Sequence, residues 1–130
     1  MNTELQYLFA VTVLTGVFWI PYILDRFFTW GIADTMGYPD SPEPQSHWAS
    51  RLMKAHDNAI ENLVVFAILV LVANAVDLST DVTVGACVAY FWARVAHVLA
   101  YLFAVPWART LAFTVGFCAQ AAIAWELFTF

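Results

Sequence analysis

RLMKAHDNAIENLVVF, residues 51–66, opens a long apolar segment and yet carries Arg51, Lys54, His56, Asp57, Asn58, Glu61 and Asn62. At helical spacing Arg51, Lys54/Ala55, Asn58 and Glu61/Asn62 share one face, because positions three and four apart stack above one another. The segment continues as LVVFAILVLVANAV to Val76, which completes the roughly 20 residues needed to cross a bilayer. The stretch therefore predicts a transmembrane helix with one charged face and one apolar face. Ionisable residues at membrane depth are costly and read by default as functional.

Composition extends that reading to the whole chain. Its 130 residues are 62% hydrophobic and only 12% charged, against about 45–50% and about 25% in a soluble domain. One domain is expected over residues 1–130. Five basic residues in total cannot sustain a nucleic-acid surface, so no such partner is expected. Cys87 and Cys118 lie in apolar segments and read as small buried hydrophobes. Neither a disulfide framework nor a metal motif is visible.

Outward from the opening stretch, helices are expected over about 5–30, 48–76, 82–105 and 107–128. The first lacks the basic start and small-residue cleavage site of a signal peptide, and Pro21 predicts a kink in it. Gly37, Pro39, Pro42 and Pro44 mark the one real loop, after which Ser46 or Ser50 is positioned to cap the second helix. The connection Asp77–Asp81 is short and Pro106 leaves almost none, so neighbours run antiparallel. The fold class is an all-α membrane protein, a bundle of four transmembrane helices in contact with membrane lipids.

Arg26, Arg51, Lys54, Arg94 and Arg109 all lie toward one leaflet in this arrangement, while Glu4, Asp77, Asp81 and Glu126 lie toward the other. Basic residues stay cytoplasmic, so both termini are expected to face away from the cytoplasm. The brevity of the chain fits a bacterial inner membrane.

The third helix carries a second polar stripe, Tyr90, Arg94, His97 and Tyr101, at spacings that define one helical face. With a rise of about 1.5 Å per residue, Arg94 lies roughly 18 Å and Glu61 roughly 20 Å from the cytoplasmic ends of their helices. An Arg94–Glu61 ion pair is therefore expected, whether as a register-fixing contact or as the floor of a site. Above it would stand Asn58, His97, Lys54, Tyr101, Arg51 and Arg109, donors and cations suited to a small anionic ligand. Arg109 and Thr110 begin the fourth helix, where free backbone N–H groups also favour negative charge. An arginine there is suited to stabilise a thiolate. The plainer reading of Arg51 and Lys54 is that they snorkel at the interface. The small residues Ala112, Gly116 and Ala119 read as close helix packing.

Taken together, Arg51-x-x-Lys54-Ala55-His56-x-Asn58-x-x-Glu61, Arg94-Val95-Ala96-His97-x-x-Ala100-Tyr101 and Pro106-x-x-Arg109-Thr110 resemble the motifs of the MAPEG family. These are membrane-associated proteins of eicosanoid and glutathione metabolism. The chain looks like a bacterial-type member whose third helix is similar to that of the prostaglandin E synthase branch. The resemblance implies a homotrimer with glutathione held in a U shape between spans one and two of one subunit and three and four of the next. By position it implies that Asn58 and Glu61 hold the glutathione backbone and that Lys54, His97 and Tyr101 contact it. Arg26 is the counterpart of a first-helix arginine. Arg109 takes the place of the thiolate-activating arginine, with Thr110 beside it. Arg51 and Arg94 complete the expected binding set. Two positions depart from the pattern: Asp57 stands where an arginine is expected, and Phe113 replaces a tyrosine.

The function expected from the resemblance is a membrane-embedded, glutathione-dependent transferase, peroxidase or isomerase acting on a small lipophilic electrophile. Two rivals follow from other branches of the argument. One is a non-enzymatic lipid- or partner-binding protein on the same scaffold. The other is a small multidrug exporter, which wants a membrane carboxylate without the surrounding cations.

Overall fold

A computed structural model describes all residues, 1–130. The chain is all-helical: α1 (Thr3–Gly16), α2 (Trp19–Met36), α3 (His47–Ala75), α4 (Asp81–Leu102) and α5 (Ala108–Thr129). These make four spans long and apolar enough to cross a membrane, with α1 and α2 forming the first. Many large apolar side chains, among them Phe9, Ile68 and Phe117, face outward, as a lipid-facing surface requires.

The first span is broken because of Pro21. A proline has no N–H to donate, and its ring crowds the carbonyl four residues earlier, here that of Val17. Around that point the ladder tightens: the Phe18 N–H reaches Thr15 at 3.3 Å and that of Ile20 reaches Val17 at 3.2 Å. The expected kink is thus a break at Val17–Phe18, and two helices replace one. Gly31 (φ 79°, ψ 170°) interrupts the first span a second time, within α2, in a conformation that glycine alone adopts cheaply. The Trp30 indole donates to the Glu43 carbonyl, and the Thr35 hydroxyl folds back to the Arg26 carbonyl at 3.1 Å.

Ser46 does stand at the N-cap of α3, but its side chain does not cap it. Its hydroxyl and N–H both go to buried Asp25, at 2.5 and 3.1 Å. A carboxylate is the stronger acceptor, so the serine ties the loop to α2 instead.

The bundle closes around Phe66 of α3 and Tyr90 of α4, whose rings stack 3.8 Å apart and 10° from parallel. Leu8, Val11, Val70, Cys87 and Ile123 complete this core. Helices α4 and α5 pack most closely, with Gly116 of α5 facing the Tyr90 ring. A second cluster, Phe18, Leu52, Ala55, Ala59 and Val98, joins α3 and α4 nearer the other end. Small residues at such contacts let helix backbones approach. At the terminal end Glu4 is buried and accepts from the Ser79 and Thr83 hydroxyls at 2.7 Å each. Thr80 and Thr83 form a capping box on α4, and the Thr80 hydroxyl also donates to Glu126.

Helices α3 and α4 end alike. The Leu78 N–H returns to the Ala73 carbonyl and that of Val105 to Ala100, the six-to-one bond of a Schellman turn. Asp77 (φ 57°) and Ala104 (φ 53°) hold the left-handed position, which glycine usually takes. Left-handed backbone costs an alanine on the order of 1–2 kcal/mol. Ala104→Gly is therefore expected to stabilise the protein by about 1 kcal/mol, read as a raised thermal midpoint in detergent. An unchanged or lowered midpoint would contradict this account of the turn.

Candidate functional site

The ends of α3, α4 and α5 that carry the basic residues enclose a cavity of about 510 Å³. Arg51 and Lys54 come from the first turns of α3, Tyr101 from the last turn of α4, and Arg109 and Thr110 from the start of α5. Ala104, Val105, Pro106 and Trp107, the connection between α4 and α5, form the apolar wall. A smaller cavity of about 180 Å³ lies beside it, lined by Asn58, His97, Tyr101, Arg109, Thr110 and Phe113. Tyr101, Arg109 and Thr110 line both, so the two are lobes of one site that meet at those residues. The larger lobe falls in the range of about 300–1,000 Å³ typical of small-ligand pockets.

Local contacts set each side chain. Arg51 donates through Nε and Nη2 to the Leu102 carbonyl, at 3.3 and 3.0 Å. It therefore caps the C-terminus of α4, where the helix dipole favours a cation, and also lines the larger lobe. The Arg109 guanidinium lies over the Tyr101 ring, 5.3 Å from its centroid. That places a positive charge at the junction of the lobes, close to the first, unbonded N–H groups of α5. His97 is 3% exposed and its ring leans on Tyr101 at 5.0 Å.

The expected Arg94–Glu61 pair does not form. Arg94, 4% exposed, donates through Nη2 to Asn58 Oδ1 at 2.9 Å and approaches His97 Nδ1 at 3.3 Å. If Nδ1 accepts, the ring proton sits on Nε2. Glu61 is exposed on the flank of α3. The reason is rotational: three residues along a helix turn the side chain by about 300°, so Asn58 and Glu61 stand about 60° apart. Asn62, one full turn from Asn58, stays on the inner face and donates to its carbonyl and Oδ1 at 2.9 and 3.3 Å. Depth put the two charges level, and helix rotation separated them.

Seven of the ten sequence-derived site residues thus share the two-lobed cavity: Arg51, Lys54, Asn58, His97, Tyr101, Arg109 and Thr110. Arg94 lies behind it, joined through Asn58 and His97. Glu61 is not among its lining residues in this chain, and Arg26 stands apart. Arg26 donates to Gln45 Oε1 at 3.3 Å and to Met53 Sδ at 3.8 Å, with its guanidinium over the Trp30 ring. These contacts join α2 to the loop and to α3. His56 has a similar role, its Nδ1 2.8 Å from the Tyr22 hydroxyl. Asp57 is exposed and lines neither lobe. Phe113 does line the smaller one, and Trp107 the larger. Sequence reasoning did not nominate Trp107, although its place between Pro106 and Arg109 at a helix start was the available signal.

The arrangement can hold a dianion at its cationic wall and a neutral group against the connection. Compared with known families, residues 7–129 match the model described as the MAPEG family. No curated protein matches the chain.

Proposed function

Because the chain belongs to the MAPEG family of glutathione-associated membrane proteins, we propose that this cavity binds glutathione and presents its thiol to a lipophilic electrophile. The activity would be that of a transferase, peroxidase or isomerase. The observation that carries the reading is the position of Arg109 and Thr110, at the start of α5 and at the junction of the two lobes.

The donor set fits the ligand. Glutathione carries two carboxylates, and Arg51, Lys54 and Arg109 offer three cations around the larger lobe, where charge-assisted bonds are the strong ones. Asn58 offers an amide for the peptide groups. The thiol supplies the nucleophile or reductant. Arg109 would hold the sulfur as thiolate by placing its N–H donors where the negative charge resides, and the Thr110 hydroxyl can add a further donor. Tyr101, under the guanidinium at 5.3 Å, would favour the orientation of Arg109 toward the junction.

We further propose a homotrimer. Lys54, Asp57 and Glu61 are exposed on α3 in one protomer, and exposed ions at membrane depth are costly. A neighbouring subunit packed on that face would cover them and bring Glu61 to the site. The cations at one end of the bundle support a cytoplasmic opening, with both termini on the far side.

The reading is tested on detergent-purified protein by titrating glutathione calorimetrically and assaying chlorodinitrobenzene and a hydroperoxide. In conjugation a carbon–sulfur bond forms, the carbon–chlorine bond breaks, and chloride leaves with the bonding pair. Saturable binding at or below millimolar glutathione is expected. A folded, trimeric preparation that binds none at that concentration would overturn the proposal.

A further inference from the structure

Of the buried stripe Tyr90, Arg94, His97 and Tyr101, only Arg94 has no means of accepting a hydrogen bond. A guanidinium carries five N–H donors and no acceptor, so each polar group facing it must turn an acceptor inward. Its Nη2 has one hydrogen for Asn58 Oδ1 at 2.9 Å and one for His97 Nδ1 at 3.3 Å. Asn62 Nδ2 lies 3.3 Å from the same Asn58 oxygen and reinforces that choice. An asparagine whose oxygen is held by two donors has its NH2 group left over. An imidazole whose Nδ1 accepts carries its hydrogen on Nε2. Both residues line the smaller lobe, and neither Asn58 Nδ2 nor His97 Nε2 is bonded to another group of the chain.

From this geometry we infer that Arg94 is a positioning residue that sets the polarity of the smaller lobe. It makes the lobe a subsite for an acceptor oxygen, carbonyl or carboxylate, and closes it to a ligand amine. The inference rests on the glutathione reading above and adds which kind of ligand group enters this lobe. The remaining lining residues agree with it. Arg109 is donor-only, the hydroxyls of Tyr101 and Thr110 can donate, Phe113 is apolar, and none of the six is acidic. An ammonium brought here would meet fixed N–H groups and a guanidinium, leaving its own hydrogens unpaired. Turning Asn58 over to receive it would set an NH2 group against Arg94. The α-ammonium of glutathione therefore lies outside this lobe, and one of its carbonyl or carboxylate oxygens lies inside.

Asn58→Asp tests the subsite, because it keeps the shape and exchanges one lobe-facing donor for an acceptor. The other oxygen gains a charged bond with Arg94, so the thermal midpoint should hold or rise. Glutathione Kd should nevertheless weaken about ten-fold or more. An Asn58 that held a ligand N–H through its oxygen would bind as well or better as aspartate. Glutathione monoethyl ester separates hydrogen bonding from net charge. It has one carboxylate fewer but still offers an ester carbonyl, and its binding should weaken by the same factor.

The positioning role is read without any ligand, by NMR of detergent-purified protein isotope-labelled at its three histidine side chains. The His97 signals, identified by their loss in His97→Gln, should show a protonated Nε2 and a bare Nδ1. Arg94→Met should move the Nδ1 resonance toward that of a protonated nitrogen, as the tautomers mix. Arg94→Lys, also donor-only, should return it toward the wild-type value.

A protonated Nδ1 in the wild-type protein, or an unmoved resonance in Arg94→Met, would overturn the inference. So would undiminished glutathione binding in Asn58→Asp, or a loss that disappears with the ester. Failure of Asn58→Asp to fold would count against it too, since Asn58 would then owe its place to a group other than Arg94. Absence of glutathione binding in the wild-type protein sinks the earlier reading instead, and the histidine spectrum still decides the polarity of the lobe.

Discussion

Arg109→Ala is expected to lower kcat for glutathione conjugation about 100- to 1,000-fold, the usual effect of removing a preorganised donor to a developing or resident anion. The argument depends on where the residue sits. Arg109 is exposed on the first turn of α5 and packs only its guanidinium on Tyr101, so its removal opens no cavity in the core. The thermal midpoint should therefore hold. Arg51 and Lys54 remain in the larger lobe, so glutathione Kd should weaken by no more than about ten-fold. A large fall in kcat with a small change in Kd marks an interaction made chiefly with the thiolate. Arg109→Lys should recover part of the rate, because it keeps the charge and loses the planar fork. Undiminished kcat in Arg109→Ala would remove this residue from the chemistry. Binding without turnover in the wild-type protein would instead favour the non-enzymatic reading.

Much of this molecule was legible in the sequence, and the reasons are physical. A bilayer demands long apolar helices whose backbone bonds close within each segment, so the four spans follow from hydropathy. Basic residues concentrate toward one end of the bundle, and the cavity lies at that end. Spacings of three and four residues placed Asn58, His97 and Tyr101 on inner faces. What periodicity cannot fix is helix rotation to better than a residue or so. Asn58, Glu61 and Asn62 all fit one polar stripe, and only packing against α4 decides that Asn58 meets Arg94 while Glu61 turns outward. Arg26 stands apart from the cavity for a related reason: its partner Gln45 is brought to it by a loop whose path no pattern specifies, beside Met53 of α3. Trp107 had a signal in its place between Pro106 and Arg109 at a helix start, whereas its positive φ is written in no pattern.

Asn58→Leu is expected to destabilise the protein by about 2 kcal/mol, more than removal of Arg94 itself. Arg94 is buried inside a membrane span, and Asn58 is its closest acceptor at 2.9 Å. Its Nε already lacks a partner. Without Asn58 the guanidinium keeps only the 3.3 Å approach to His97, and stranding a buried charge costs about 3–5 kcal/mol where the partner was charged, less where it was neutral. Arg94→Met removes the charge along with its need for a partner, and methionine fills the vacated space flexibly, so its cost should be nearer 1 kcal/mol. The double variant Asn58→Leu/Arg94→Met should then resemble Arg94→Met alone, falling short of the summed single effects by at least about 1–2 kcal/mol. Thermal midpoints of all four proteins in one detergent measure this. Additive single effects, or a greater loss in Arg94→Met than in Asn58→Leu, would mean that Arg94 draws its stabilisation from another group. Glutathione titration of the same proteins separates the roles, since Asn58 lines the smaller lobe directly while Arg94 reaches it through Asn58 and, at 3.3 Å, His97. Binding should weaken in both variants that lack Asn58, and in Arg94→Met it should weaken only as far as Asn58 and His97 lose their orientation.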